Sequence, residues 1–327
     1  MPSKTIVLRP ADAGLAVLAP ALEDAKQFAS AAIPANTKRA YAADWADFEE
    51  WCRSAGESPL PARPQAVAGY ISILARTHKA STIRRRLAAI SKAHSMRGHA
   101  NPCGVEAVKT TMKGIEATIG TRVGGKSPVT YAALEKMILS YGDSNTLETV
   151  RARALLLIGY AGAFRRSELC SLTRADVTWH PEGAVILLRK SKTDQRGEGY
   201  QKAIPYVNGP MCAARALHIW MQCIPAEQNQ PVFCAFTRDG LPGKRALSPQ
   251  TVALIVKGAA TNAGLDPAMF SGHSLRSGHV TEARARGVAD SATMQTTGHK
   301  RVETLEMYDR RNNPFSKGSA AEVLKGR

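Results

Sequence analysis

What this chain lacks narrows its chemistry first. Its six cysteines are Cys52, Cys103, Cys170, Cys212, Cys223 and Cys234, and no two form a C-x-x-C pair. No histidine stands at zinc-finger spacing from them. Common zinc modules and a disulfide framework are excluded, and reduced, mostly buried thiols are expected. There is no phosphate-binding P-loop and no obvious carboxylate cluster for two metals, so no cofactor and no metal are expected. The longest apolar run, ALLLIGYAGAF at 154–164, is too short to span a bilayer. No signal peptide opens the chain, so no membrane partner is expected. No internal repeat is present.

One further shortage is local. Between Glu57 and Glu106 there is no acidic residue, while eight lysines or arginines occur. A solvated helix usually mixes both signs. A one-sign stretch is expected to lie against a polyanion.

The rest of the composition agrees with that expectation. The 327 residues carry a formal net charge of +17, which favours nucleic acid as partner. The excess is shared, +8 over residues 1–126 and +9 over 127–327. A basic tail on a neutral enzyme would not divide so evenly. A hydrophobic content of 44% is enough for real cores in two domains.

Residues 1–20, with Pro2, Pro10 and Pro20, read as a flexible arm. In NTKRAYAADWADFEEWC, Tyr41, Trp45, Phe48 and Cys52 recur at helix spacing, with Asn36 placed to cap. Val67, Tyr70, Ile71 and Leu74 mark a second helix. In STIRRRLAAISKAHSMRG, Ser81 can cap a third, whose buried stripe is Ile83, Leu87 and Ile90. Arg84, Arg85, Arg86, Lys92 and Arg97 lie on its other faces and are the candidate DNA contacts. A fourth helix follows Pro102. TRVGGKSP at 121–128 reads as a linker. Beyond it, helices surround short strands at DVTW, AVILLRKSKT and YQKAIPYV. RDGLPGK reads as a loop, and a helix opens on Ser248 and Pro249.

Four spots can carry chemistry. His273 and Arg276 in HSLR share a helix face at i, i+3, and an arginine fork matches phosphate oxygens. Arg165 and Arg166 emerge directly from an apolar helix and need an anion, which Glu168 can supply in part. Lys192, in RKSKTDQ, sits at a strand end where it could protonate a leaving oxygen, and Lys190 competes with it. Tyr308 follows the Gly298-His299 pair. With a pKa of about 10 it needs cationic neighbours to attack as phenolate. Each signal taken singly is common on solvated surfaces.

Their order is not common. R-x-x-E, a strand-turn lysine, H-x-x-R, G-H and then a tyrosine resemble the tyrosine recombinase (phage integrase) family, over about residues 20–327. The SGHS-x-R box and the tail after the tyrosine look most like its Cre-type members. The resemblance implies a mainly α fold with a small β-sheet: a helical core-binding (SAM-like) N-terminal domain over 21–120, and a catalytic domain over 129–327 ending in a docking helix. It implies Tyr308 as nucleophile, Arg165 and Arg276 as phosphate clamps, and Lys192 as general acid. His273 would assist proton transfer, His299 would donate to the phosphate, and Glu168 would orient the site. Thr297 departs from the leucine usual before Gly-His. The implied partners are double-stranded DNA with an inverted-repeat target and a homotetramer on two DNA sites, in the cytoplasm of a bacterium or from a phage. A type IB topoisomerase and a DNA binder without catalysis are the rival readings.

Overall fold

The structure is a computed structural model. It describes residues 21–24, 28, 33–121, 125–189 and 199–306. The arm, the centre of the linker, the Lys190–Lys192 stretch, Tyr308 and the tail lie outside the described residues. By contacts the chain divides into two compact units, 1–123 and 124–327.

The first unit is helical: α1 (Ala35–Ala55), α2 (Pro64–Leu74), α3 (Ala80–Met96) and α4 (Glu106–Ile119). Phe48, Cys52, Val67, Tyr70, Ile71, Ile83, Ile90 and Val108 interdigitate in its core. Their 3.6-residue recurrence is the signal that the sequence carried. Two expected caps differ. Pro34, already in the extended conformation that precedes a helix, takes the α1 N-cap, so Asn36 falls inside the first turn. Lys79 takes the α3 N-cap, and Ser81 falls at the second helical position.

The second unit holds α5 (Tyr131–Leu139), α6 (Leu147–Ala161), α7 (Arg166–Ser171), β1 (Val177–His180), β2 (Gly183–Leu188), β3 (Tyr200–Pro205), α8 (Ala213–Gln222), β4 (Cys234–Phe236), β5 (Pro242–Ala246), α9 (Pro249–Asn262), α10 (Ser274–Ala285) and α11 (Asp290–Thr297). A further helical turn spans 302–306. Strands β1, β2 and β3 form an antiparallel sheet in that order. Part of the stretch expected as a loop instead pairs, as β5 against β4. Ser248 caps α9 as its sequence predicts, its hydroxyl accepting from the Thr251 N–H at 3.0 Å.

Helix α6 is buried on nearly every face, with Ala154, Leu155, Leu156, Leu157 and Ile158 all in the core. That explains an apolar run with no amphipathic period. Helix α10 approaches the chain at Val129 so closely that a Cβ on Gly278 would stand 1.8 Å from the Val129 carbonyl oxygen. Only glycine permits that approach. The contact seats α10, and with it Arg276, against the start of the second unit.

Candidate active site

The site begins where α6 stops. Gly162 ends the helix, and Ala163 then takes φ 47, a left-handed conformation disfavoured for any residue with a Cβ. The turn drives Phe164 into the core and delivers Arg165 as the N-cap of α7. Glu168, only 2% exposed, accepts the Arg165 backbone N–H at 2.9 Å and its Nη1 at 2.6 Å. A carboxylate at the third helical position thus closes the helix start and fixes the guanidinium.

Arg166 was the competing arginine. It is exposed, and its stem lies over Gly272, where a Cβ would meet Arg166 Cδ at 2.2 Å. Arg165, Glu168, Leu188, Lys202, His299 and Lys300 instead line a cavity of about 400 Å³.

Arg276 comes from the first turn of α10 and is 1% exposed. Its Nη1 donates to the Ala163 carbonyl at 2.7 Å, and its Nη2 bonds His299 Nε2 at 2.8 Å. A guanidinium can only donate, so Nε2 must accept. The imidazole proton is therefore assigned to Nδ1, which faces Thr297 Oγ1 at 3.0 Å. That hydroxyl in turn donates to the Thr293 carbonyl at 2.8 Å. Gly298, at φ 68, turns the chain out of α11 and aims His299 back at Arg276.

The electrostatics follow from this crowding of cations. Burial, then Arg276, Arg165, His273 and Lys202, push the His299 pKa down to about 3. His279, on α10 beside Tyr160, is pushed down to about 4 by burial and Lys202. Lys202 falls to about 7, chiefly through burial, with Glu168 opposing the fall and Arg276 and Arg165 adding to it. At neutral pH the two histidines are neutral, and the arginines supply fixed positive charge.

His273 is exposed at the start of α10. The structure therefore brings together Arg165, Glu168, Arg276 and His299, with His273 one turn from Arg276. The expected nucleophile Tyr308 and general acid Lys192 lie outside the described residues. Sequence reasoning missed Lys202, and it marked Thr297 only as a departure, without its bond to His299. A signal for Lys202 did exist: in YQKAIP it shares the inward face with Ile204, an unusual place for a lysine.

The one-sign stretch of the first unit reads differently in space. Arg63 pairs with Glu57, Arg84 with Glu116, and Arg86 with Asp47. Arg85 holds Asp44 with two bonds, of 2.8 and 2.9 Å. Arg86, only 11% exposed in its side chain, also donates to the Tyr70 hydroxyl at 2.6 Å. The balancing carboxylates come from α1, α4 and the loop after α1. Lys92 and Arg97 are exposed, and Arg97 lies over the Trp45 ring at 5.7 Å.

Residues 133–314 match the Phage integrase family, more than half of the chain. The chain belongs to the phage integrase family. It is 39% identical over 284 residues to the integrase/recombinase xerD homolog of Selenomonas ruminantium, covering 86% of this chain and 83% of the relative. It is 25% identical over 285 residues to the tyrosine recombinase XerD of Rhizobium meliloti, covering 84% of each. Among solved structures, it is similar in fold to a lambda integrase(75-356) dimer bound to a COC' core site. There the TM-score is 0.59 at 19% identity, covering 88% of this chain and 93% of that one. Among the described residues, no helix is long and apolar enough to cross a membrane.

Proposed function

We propose that this integrase-family chain is a site-specific DNA recombinase that cuts and rejoins duplex DNA through Tyr308. The Tyr308 oxygen attacks the scissile phosphorus. The bond from phosphorus to the 5′ oxygen breaks, leaving a 3′-phosphotyrosyl ester and a 5′-hydroxyl. The phenolic proton leaves by way of His273, and Lys192 protonates the 5′ oxygen. Arg165 and Arg276 balance the charge that grows on the non-bridging oxygens. Attack by a 5′-hydroxyl from a second duplex reverses these steps and reseals the strand. The ester conserves the energy of the broken bond, so the chemistry needs no nucleotide. Strand exchange through a Holliday junction then takes paired inverted-repeat sites and four copies of the chain, with the DNA in the cytoplasm. The matched relatives carry Xer names, and the Cre-type likeness rests on the SGHS-x-R box and the tail after Tyr308.

One observation carries this reading: Arg165 and His299 line one cavity, and Arg276 is bonded to that same histidine. Cations brought this close are costly unless an anion shares them. The histidine has one thing to do when DNA arrives. Arg276 turns its Nη2 to the phosphate, and His299 must then present a proton on Nε2. Thr297 allows that shift, because its hydroxyl can leave the Thr293 carbonyl and donate to Nδ1 instead. The usual leucine could not.

The test is covalent trapping on a library of DNA carrying random nicks, followed by sequencing of the captured ends. The wild-type chain captures DNA, and Tyr308→Phe binds it without capture. Capture by Tyr308→Phe would remove Tyr308 as nucleophile.

A further inference from the structure

We propose that Lys202 is a positioning residue for the phosphate site, a strut that ties the turn bearing Arg165 to the turn bearing His299. The inference rests on the recombinase reading above for its catalytic consequence, but not for its geometry.

Lys202 lies in mid-strand on β3 and is only 3% exposed. Its Nζ donates to the Gly162 carbonyl at 2.5 Å and to the Thr296 carbonyl at 2.5 Å. Gly162 lies three residues before Arg165, and Thr296 three residues before His299. The ammonium also sits 4.7 Å from the centre of the Phe164 ring. Arg276 grips the next carbonyl, that of Ala163, at 2.7 Å. Two cations therefore hold consecutive carbonyls of a turn whose alanine is in a left-handed conformation. A strained turn persists only where its surroundings hold it.

A residue that merely filled space here would be apolar. Burying a lysine is unfavourable, and the cations around it make it more so: Arg165 at the start of α7 and Arg276 on α10, with Glu168 as the counter-charge and a neutral His279 nearby on α10. His299 approaches from the end of α11. Burial and these cations bring the Lys202 pKa to about 7. Either protonation state keeps at least two N–H groups, enough for both carbonyls. The strut therefore survives loss of the proton.

The experiment has two arms, both on the full chain. In the first, imidazole nitrogens are labelled with ¹⁵N and His299 is assigned by His299→Asn. The wild type shows His299 as a single neutral tautomer with the proton on Nδ1. In Lys202→Met, whose chain fills the same space without donors, the His299 signals shift toward the tautomer average. His218 of the second unit, on α8, whose ring lies 4.8 Å from that of Trp179 on β1, keeps its signals and reports that this unit of the variant is folded. Lys202→Arg, which retains the donors, returns the His299 signals toward the wild type. If Lys202→Met does not fold, Lys202→Gln is read in the same way. In the second arm, covalent capture of nicked library DNA falls by on the order of 10²-fold in Lys202→Met, while DNA affinity holds. Unchanged His299 signals together with unchanged capture would overturn the proposal and leave Lys202 as packing. If the wild type captures no DNA, the recombinase reading is at fault, and the first arm alone decides on Lys202.

Discussion

The two units use arginine in opposite ways. In the first, Arg84, Arg85 and Arg86 are matched to Glu116, Asp44 and Asp47. In the second, Arg165, Arg276 and Lys202 crowd together, with Glu168 as the carboxylate among them, and Arg276 is bonded to a carbonyl and a neutral imidazole. Matched charges hold helices together. A crowd of like charges costs stability, which on the proposed reading an incoming phosphate would restore. The contrast separates arginines paired with carboxylates within a domain from arginines crowded with other cations, the ones proposed to take the phosphate, although both kinds read alike in the sequence.

The largest expected effect is at Arg276. Arg276→Ala removes a buried cation that bonds both the strained turn and His299. Covalent capture should fall by about 10³-fold in a single-turnover assay, while DNA binding changes far less. Equal losses in binding and capture would mean that Arg276 only anchors DNA.

Next comes the comparison of pairs. Glu168→Gln leaves Arg165 partly buried beside a neutral amide and should cost about 2–3 kcal/mol in urea unfolding. Glu116→Gln, which breaks the solvent-exposed pair with Arg84, should leave the urea midpoint unchanged. Similar losses for the two variants would erase the distinction between buried and surface pairs.

The pH dependence of stability is smaller and has a definite sign. Lys202 holds fewer protons in the folded than in the unfolded chain between about 7 and 10.5, so stability rises with pH across that window. His299 and His279 fall from 6.5 to about 3 and 4, so their contribution is present above 6.5 and is lost as pH drops toward those values. Lys202→Met should flatten the alkaline limb and leave the acid limb in place. An alkaline limb that persists in that variant would contradict the buried ammonium.

The smallest effects lie on α3. Lys92→Ala should lower the slope of log affinity against log salt by about 1 without changing stability. Arg86→Ala should instead destabilise the first unit, because Asp47 and Tyr70 lose their shared donor. If the two exchange roles, the division between structural and DNA-facing basic residues is misplaced.

Most helices of both units were legible because their apolar period is local, and α6 because its apolar run is long. So was the linear order of Arg165, Glu168, Arg276 and His299, since neighbouring residues frame each one. What escaped depends on contacts distant in sequence. The stretch between Glu57 and Glu106 looked uniformly positive because its carboxylates arrive from α1, α4 and Glu57. Glu168, three residues on, favoured Arg165 over Arg166, and the structure adds what spacing could not show: the Arg166 stem lies over Gly272, over a hundred residues on, while Arg165 lines the cavity. Lys202 was hidden because its partners are main-chain carbonyls, which no motif records.

The identity of the atom that attacks the phosphate decides the mechanism. The most direct measurement is mass spectrometry of protease fragments from the trapped protein–DNA adduct. Attack by Tyr308 predicts a nucleotide attached through its 3′-phosphate to the fragment containing that tyrosine. A nucleotide on any other residue, or a 5′-phosphate linkage, would contradict it.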